Sequence, residues 1–154
     1  MLNSIIGLPL FIASLSAGLM AGVYFAFSTF IMRSFDQMGA VQAVDAMNSV
    51  NRVIQRSWFM TLFFGSTLLY AVLAGYAVFA ADLPARWWLF AAGLIYLVGM
   101  FLCTIVFNVR LNDSLAAIGT DESIRIEAWQ HYVVHWTRWN HVRIQYLVSH
   151  AWVL

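Results

Sequence analysis

The amides of Asn48, Asn51, Asn108, Asn112 and Asn140, the guanidinium of Arg143, the phenol of Tyr24, the hydroxyl of Ser28 and the indole of Trp136 are the side chains here best suited to chemistry. Beside an apolar cavity, such groups bind a flat, oxygenated, lipophilic molecule. The competing reading is structural: the same groups cap helix ends and bridge helices, because unsatisfied polar groups in lipid are costly. His131 and His135 are spaced i, i+4, as a metal pair on one helical face requires. No HExxH motif or Glu-x-x-His pair completes a metal site with them. Cys103, the single cysteine, excludes both a CxxC pair and a disulfide within the chain. Metal or haem ligation therefore ranks behind histidines that are simply polar interfacial residues, and no metal ligand is assigned. Ser28 and Ser66 lack an identifiable base for a nucleophilic triad.

The elements that hold these residues are written in the charge pattern. Of 154 residues, 62% are hydrophobic and only 10% charged, against about 25% charged in soluble domains. The net charge of +1 offers no basic field for nucleic acid. All the basic side chains are arginine, a bias with no physical explanation in the sequence. Three stretches carry no charge: Met1 to Met32, Ser57 to Ala81 and Trp87 to Val109. Each exceeds the ~20 residues that cross ~30 Å of hydrocarbon. The first is too long for a signal-peptide core and lacks its basic start, so it reads as a retained helix. Pro84 stops the second helix within Asp82–Arg86, and Trp58, Trp87 and Trp88 fall where interfacial aromatics belong. The expected fold is all-α: one integral membrane four-helix bundle over 1–154, with helices near 2–34, 40–81, 86–112 and 122–154. Residues 40–55 could form a short surface helix leading into the second span.

The last helix differs from the other three. At 100° per residue, Trp129, Tyr132, Trp136, Asn140, Arg143, Leu147 and His150 share one stripe, with Glu127, His131, Arg138, His141 and Gln145 roughly opposite. This helix is expected to start outside the bilayer and enter it near Trp136, turning Asn140 and Arg143 into the bundle. Arg143 should be hydrogen-bonded there, with the Asn108 and Asn112 amides and nearby carbonyls as candidate partners. Five arginines in the two longer connections (Arg33, Arg52, Arg56, Arg110, Arg125) against Arg86 alone place those connections in the cytoplasm. The N-terminus would lie outside a bacterial-type inner (plasma) membrane. Ser14, Gly18 and Gly22 recur every four residues, a small-residue stripe expected chiefly to pack within the chain, with a homo-oligomer as the alternative.

Four stretches resemble one family: Gly22-Val-Tyr-Phe-Ala-Phe-Ser-Thr-Phe-Ile-Met-Arg33, Ala46-Met-Asn-Ser-Val-Asn51, Thr104-Ile-Val-Phe-Asn-Val-Arg-Leu-Asn-Asp113, and Trp129 through Trp136-Thr-Arg-Trp-Asn-His-Val-Arg143. On these the chain is identified as a member of the anthrone-oxygenase-like membrane proteins, bacterial branch, long classed as a domain of unknown function. Members usually have proline where Arg110 stands and glutamine where Asn48 stands, so the end of the third helix should be looser here. The resemblance implies a four-helix membrane oxidoreductase that converts anthrones to anthraquinones with O2 as co-substrate and no metal or flavin cofactor. It implies a base, oxyanion donors and a dry cavity. Asn140, Asn108 and Arg143 are the expected donors and His135 or His141 the expected base. Tyr24, with Ser28, Asn51 and Asn112, would orient the substrate, and Trp136 and Trp139 would wall it. Expected partners are the lipid bilayer and a hydrophobic aromatic small molecule. Two other readings stand beside this one: a non-catalytic lipophile-binding or structural membrane protein, and a metal- or haem-binding redox protein.

Overall fold

A computed structural model describes residues 2–151 and the side chains of residues 6–148. Among them the chain is helical throughout, without strands. Helix α1 (Leu2–Ala26) passes through a π-helical turn (Phe27–Ile31) into α2 (Met32–Gln37), forming one rod. Gly39, at φ 90°, reverses the chain in a conformation that favours glycine, and α3 (Ala40–Ile54) follows. Next come α4 (Trp58–Phe79) and a second long rod. That rod joins α5 (Arg86–Tyr96), two π-helical stretches (Leu97–Leu102 and Thr104–Val109) and α6 (Arg110–Ala116). Helix α7 (Glu122–Ala151) completes the bundle. Three rods, Ile6–Gln37, Trp58–Phe79 and Arg86–Ala116, are long and apolar enough to cross a membrane.

Two helix boundaries depart from the sequence reading. The stretch 40–81 is two helices and not one, because Ser57 is extended (φ −101°, ψ 165°) and its hydroxyl caps α4 by accepting the Phe59 N–H. The third rod runs beyond 112 to Ala116. With arginine in place of proline at 110, the backbone N–H survives and the helix continues.

The hydrophobic residues gather in two tiers. The larger cluster joins α1, α4, α5 and the far half of α7 through Ala13, Met20, Phe63, Tyr70, Tyr96 and Leu147. The smaller joins α2, α3, α6 and the near half of α7 through Met32, Val44, Met47, Leu115, Trp129 and Tyr132. At this second tier Arg125 pairs with Asp45, the Trp129 indole donates to Asp36 (2.9 Å), and Asn48 donates to the Leu115 carbonyl (3.5 Å). Both long connections thus lie at one end of the bundle. The turn after α4 packs at the other, where Leu83 and Ile6 meet the first cluster.

Helix α7 buries the face expected of it. Trp129, Tyr132, Trp136, Asn140, Arg143 and Leu147 are buried, while Glu127, His131, Arg138, His141 and Gln145 are exposed. The side chain of His150 lies outside the described residues. The small-residue stripe behaves otherwise. Ser14, Gly18 and Gly22 face outward, and a Cβ at Gly18 or Gly22 would meet nothing within 4 Å, so intrachain packing is not their role. Close approach occurs instead at Gly93, against Ala74 and the Tyr70 carbonyl, and at Gly99, against Tyr146.

Candidate active site

A cavity of about 180 Å³ opens where the two tiers meet. Tyr24 and Phe63 of the larger cluster form part of its wall, and Met47 and Trp136 of the smaller one form another part. Two of the three π-helical stretches border it. Phe27 comes from the first, and Thr104 and Asn108 come from the last. A π turn widens the helix and rephases the side chains after it, and such turns concentrate at functional sites.

Arg143 dominates the electrostatics. It is 2% exposed, and its Nη2 donates to Asn140 Oδ1 at 2.6 Å and its Nη1 to Thr104 Oγ1 at 3.1 Å. The Thr104 hydroxyl gives its own proton to the Met100 carbonyl at 2.6 Å, which leaves a lone pair for the guanidinium. The cation lies 4.1 Å from the centre of the Tyr24 ring and 5.4 Å from that of Trp136. These faces offer some cation–π stabilisation. Among the described residues the one ion pair is Arg125–Asp45, so no carboxylate neutralises Arg143. Its Nε has no hydrogen-bond partner.

Other orphaned atoms belong to the same lining. Asn108 is buried, and its Nδ2 donates to the Trp136 carbonyl at 3.4 Å. That contact fixes the amide orientation and leaves Oδ1 as a free acceptor. The Trp136 Nε1 and Asn51 Nδ2 are donors without partners. Buried polar groups are rarely left unpaired, and four such atoms belong to residues that line this cavity: three donors, one of them cationic, and one acceptor.

Of the residues singled out from the sequence, Tyr24, Asn51, Asn108, Asn112, Trp136 and Arg143 line this cavity. Asn140 stands behind it with both ends of its amide used. Its Nδ2 donates to the Tyr24 carbonyl (2.6 Å) and to the Ser28 hydroxyl, and its Oδ1 holds Arg143. Asn140 thus positions the guanidinium. Asn112 accepts the Tyr132 hydroxyl at 2.7 Å. Trp139 stacks on Phe107 at 3.5 Å, away from the lining. His135 and His141 are exposed on the opposite face of α7. His131 and His135 stack at 4.0 Å with no third ligand: the described residues contain no cluster of three metal-binding side chains. Arg143 has Thr104 and Asn140 as partners and not the amides of Asn108 and Asn112. Thr104 escaped the sequence reading, although it lies one helical turn before Asn108.

A family model described as anthrone oxygenase matches residues 52–151. No curated protein and no solved structure matches the chain.

Proposed function

The chain belongs to the anthrone oxygenase family, and from that premise we propose that it oxidises a lipophilic phenolic or polycyclic substrate with O2 inside the membrane. The observation that carries this reading is Arg143, a buried cation with no carboxylate partner and an unsatisfied Nε on an aromatic-lined cavity. An uncompensated buried charge is strongly unfavourable, so the site favours an anion. A positive charge within ~4–6 Å lowers an acid's pKa by about 1–3 units. An anthrone bound there ionises more readily, giving a delocalised carbanion whose charge rests mainly on its oxygen. Arg143, the Trp136 indole and the Asn51 amide are the donors for that oxygen, and Asn108 Oδ1 accepts from a neighbouring hydroxyl. Asn140 and Thr104 hold the guanidinium in place.

The carbanion is itself the reductant. It passes one electron to O2, and the carbon radical and superoxide combine to a peroxide anion at the former CH2 carbon. That anion takes back one proton, and loss of water from the hydroperoxide leaves a ketone. Anthrone and O2 become anthraquinone and water. Neither metal nor flavin is required for this sequence. The proton leaves to water or hydroxide, since the lining contains neither imidazole nor carboxylate. In the same reading the arginine-rich tier is cytoplasmic in a plasma membrane.

Oxygen uptake with dithranol, corrected for spontaneous oxidation, tests the proposal. Wild type should exceed the buffer blank, and Asn140→Ala should lose most of that rate because Arg143 loses its anchor. A wild-type rate equal to the blank would remove the oxygenase reading for this substrate class. The absence of a base from the lining also favours a second reading, ligand binding without turnover. Dithranol bound by the protein but not consumed would select it.

A further inference from the structure

We infer that the cavity is occupied by the aromatic head of a membrane-dissolved phenol or quinol whose aliphatic tail remains in the lipid, passing out between Phe64 of α4 and Ile105 of the last π-helical stretch. This rests on the reading of the cavity as a phenol site. Three lining residues are exposed, namely Gln55, Phe64 and Ile105, and they mark its mouth. Phe64 is 53% and Ile105 41% exposed, and both belong to rods apolar and long enough to span the bilayer, so their outer faces meet acyl chains. Gln55, at the break before α4, gives the rim one polar edge at the level of Trp58. The same lining includes Arg143, Trp136 and Asn108, whose Nε, Nε1 and Oδ1 have no partner. A ligand joining these groups to the mouth is polar at one end and apolar at the other. Size agrees. About 180 Å³ falls short of the ~300 Å³ at which sites begin to enclose drug-sized molecules, so a flat ring system fits and a long aliphatic substituent projects.

The chemistry gives this pose a distinct signature. If the tail stays in lipid before and after binding, its length contributes nothing to affinity measured against mole fraction in the bilayer. If the mouth opened to water, each methylene would leave hydrocarbon on binding, weakening the complex about fourfold per CH2 at ~0.8 kcal/mol each. A closed chamber would exclude long tails abruptly. The test uses the full chain in phosphatidylcholine nanodiscs with 4-ethyl-, 4-pentyl- and 4-nonyl-2-fluorophenol. Bound probe is read by fluorine NMR, counting only the part lost in Arg143→Met. The expected result is dissociation constants, as bilayer mole fraction, equal within about threefold across the series. In Ile105→Trp the nonyl probe should weaken at least tenfold relative to the ethyl probe, while Leu68→Trp, on the outer face of α4 away from the cavity, leaves the series flat. A steady fourfold loss per methylene, exclusion of the nonyl probe from wild type, or a flat series in Ile105→Trp would each overturn the lipid-facing mouth while the phenol site stands on the ethyl probe. Failure of all three probes to bind would remove the phenol site itself, and this inference with it.

Discussion

Arg143 is held by two neutral partners and faced by two aromatic rings, an arrangement poor for stability and good for anion binding. Arg143→Met should therefore separate the two. Removing the guanidinium orphans Asn140 Oδ1, at a cost of about 1–3 kcal/mol, but it also removes an unpaired buried charge that costs several kcal/mol. The melting temperature in detergent is expected to hold or rise. Oxygen uptake should fall about 10²–10³-fold, the scale of losing one oxyanion donor. The residual rate should rise only at higher pH, since the bound substrate no longer feels a cation that favours its ionised form. A clear fall in melting temperature with unchanged uptake would assign Arg143 to the scaffold. The polar residues of the site were largely legible in the sequence because they interrupt otherwise apolar helices. Their division of labour was not. Whether Asn140 faces the cavity or stands behind it depends on which neighbours take its amide, and spacing along one helix does not contain that information.

At the scale of elements, composition shows where helices run and periodicity shows which face of α7 is buried, since both are local properties. The π-helical stretches escaped because the residues of Leu97–Val109 suit an α-helix equally well. What distinguishes them is hydrogen-bond register, which the packed neighbours select. The small-residue stripe misled for a related reason: a spacing of four shows that a close approach is sterically allowed, not that a partner is there. Gly99→Ala should accordingly be destabilising by about 1–3 kcal/mol, because its Cβ would sit 2.4 Å from Tyr146 Cβ. Gly22→Ala, with nothing near, should leave the melting temperature of the protomer unchanged or raise it slightly. Equal losses for the two would contradict this packing. Helix α7 begins at an Asp121 cap, whose Oδ1 accepts the Ser123 and Ile124 N–H groups. Hydrogen bonds from the Ser123 hydroxyl and the Ile124 N–H hold its carboxyl below the ordinary value. A lowered folded-state pKa means the cap's contribution is present above the unfolded value and is lost as pH falls through the folded one. Hydrogen exchange at Ser123 and Ile124, corrected for intrinsic rates, should lose protection below about pH 4. In Asp121→Asn this pH dependence should vanish.

For the whole molecule, the arrangement into two tiers makes the bundle polar along its length. Five arginines gather at the tier containing α3 and α6, and Arg86 stands at the far end beside the turn after α4. Cysteines placed at Asp45 and Asp82, both exposed, should therefore react with a membrane-impermeant maleimide from opposite sides. Native Cys103 is buried and should stay silent. Labelling of both from one side would overturn the hairpin topology. The number of apolar rods was readable from charge-free lengths alone. The second tier was not, because its core draws Met32, Met47, Leu115 and Trp129 from four separate helices, and a sequence shows no contact between segments so far apart.

Helix α7 has a consequence for how the protein is made. It follows the three apolar rods in the chain and is too polar to partition into lipid on its own, with Arg143 among the residues it would carry into hydrocarbon. On the reading that α7 lies in the bilayer, its route there is against the surface of the earlier helices, where Thr104 and Tyr24 meet the guanidinium. Insertion of the last helix and completion of the site are then one event. A nascent chain halted before Trp129 would reside in the membrane as three hydrophobic spans with an open seam.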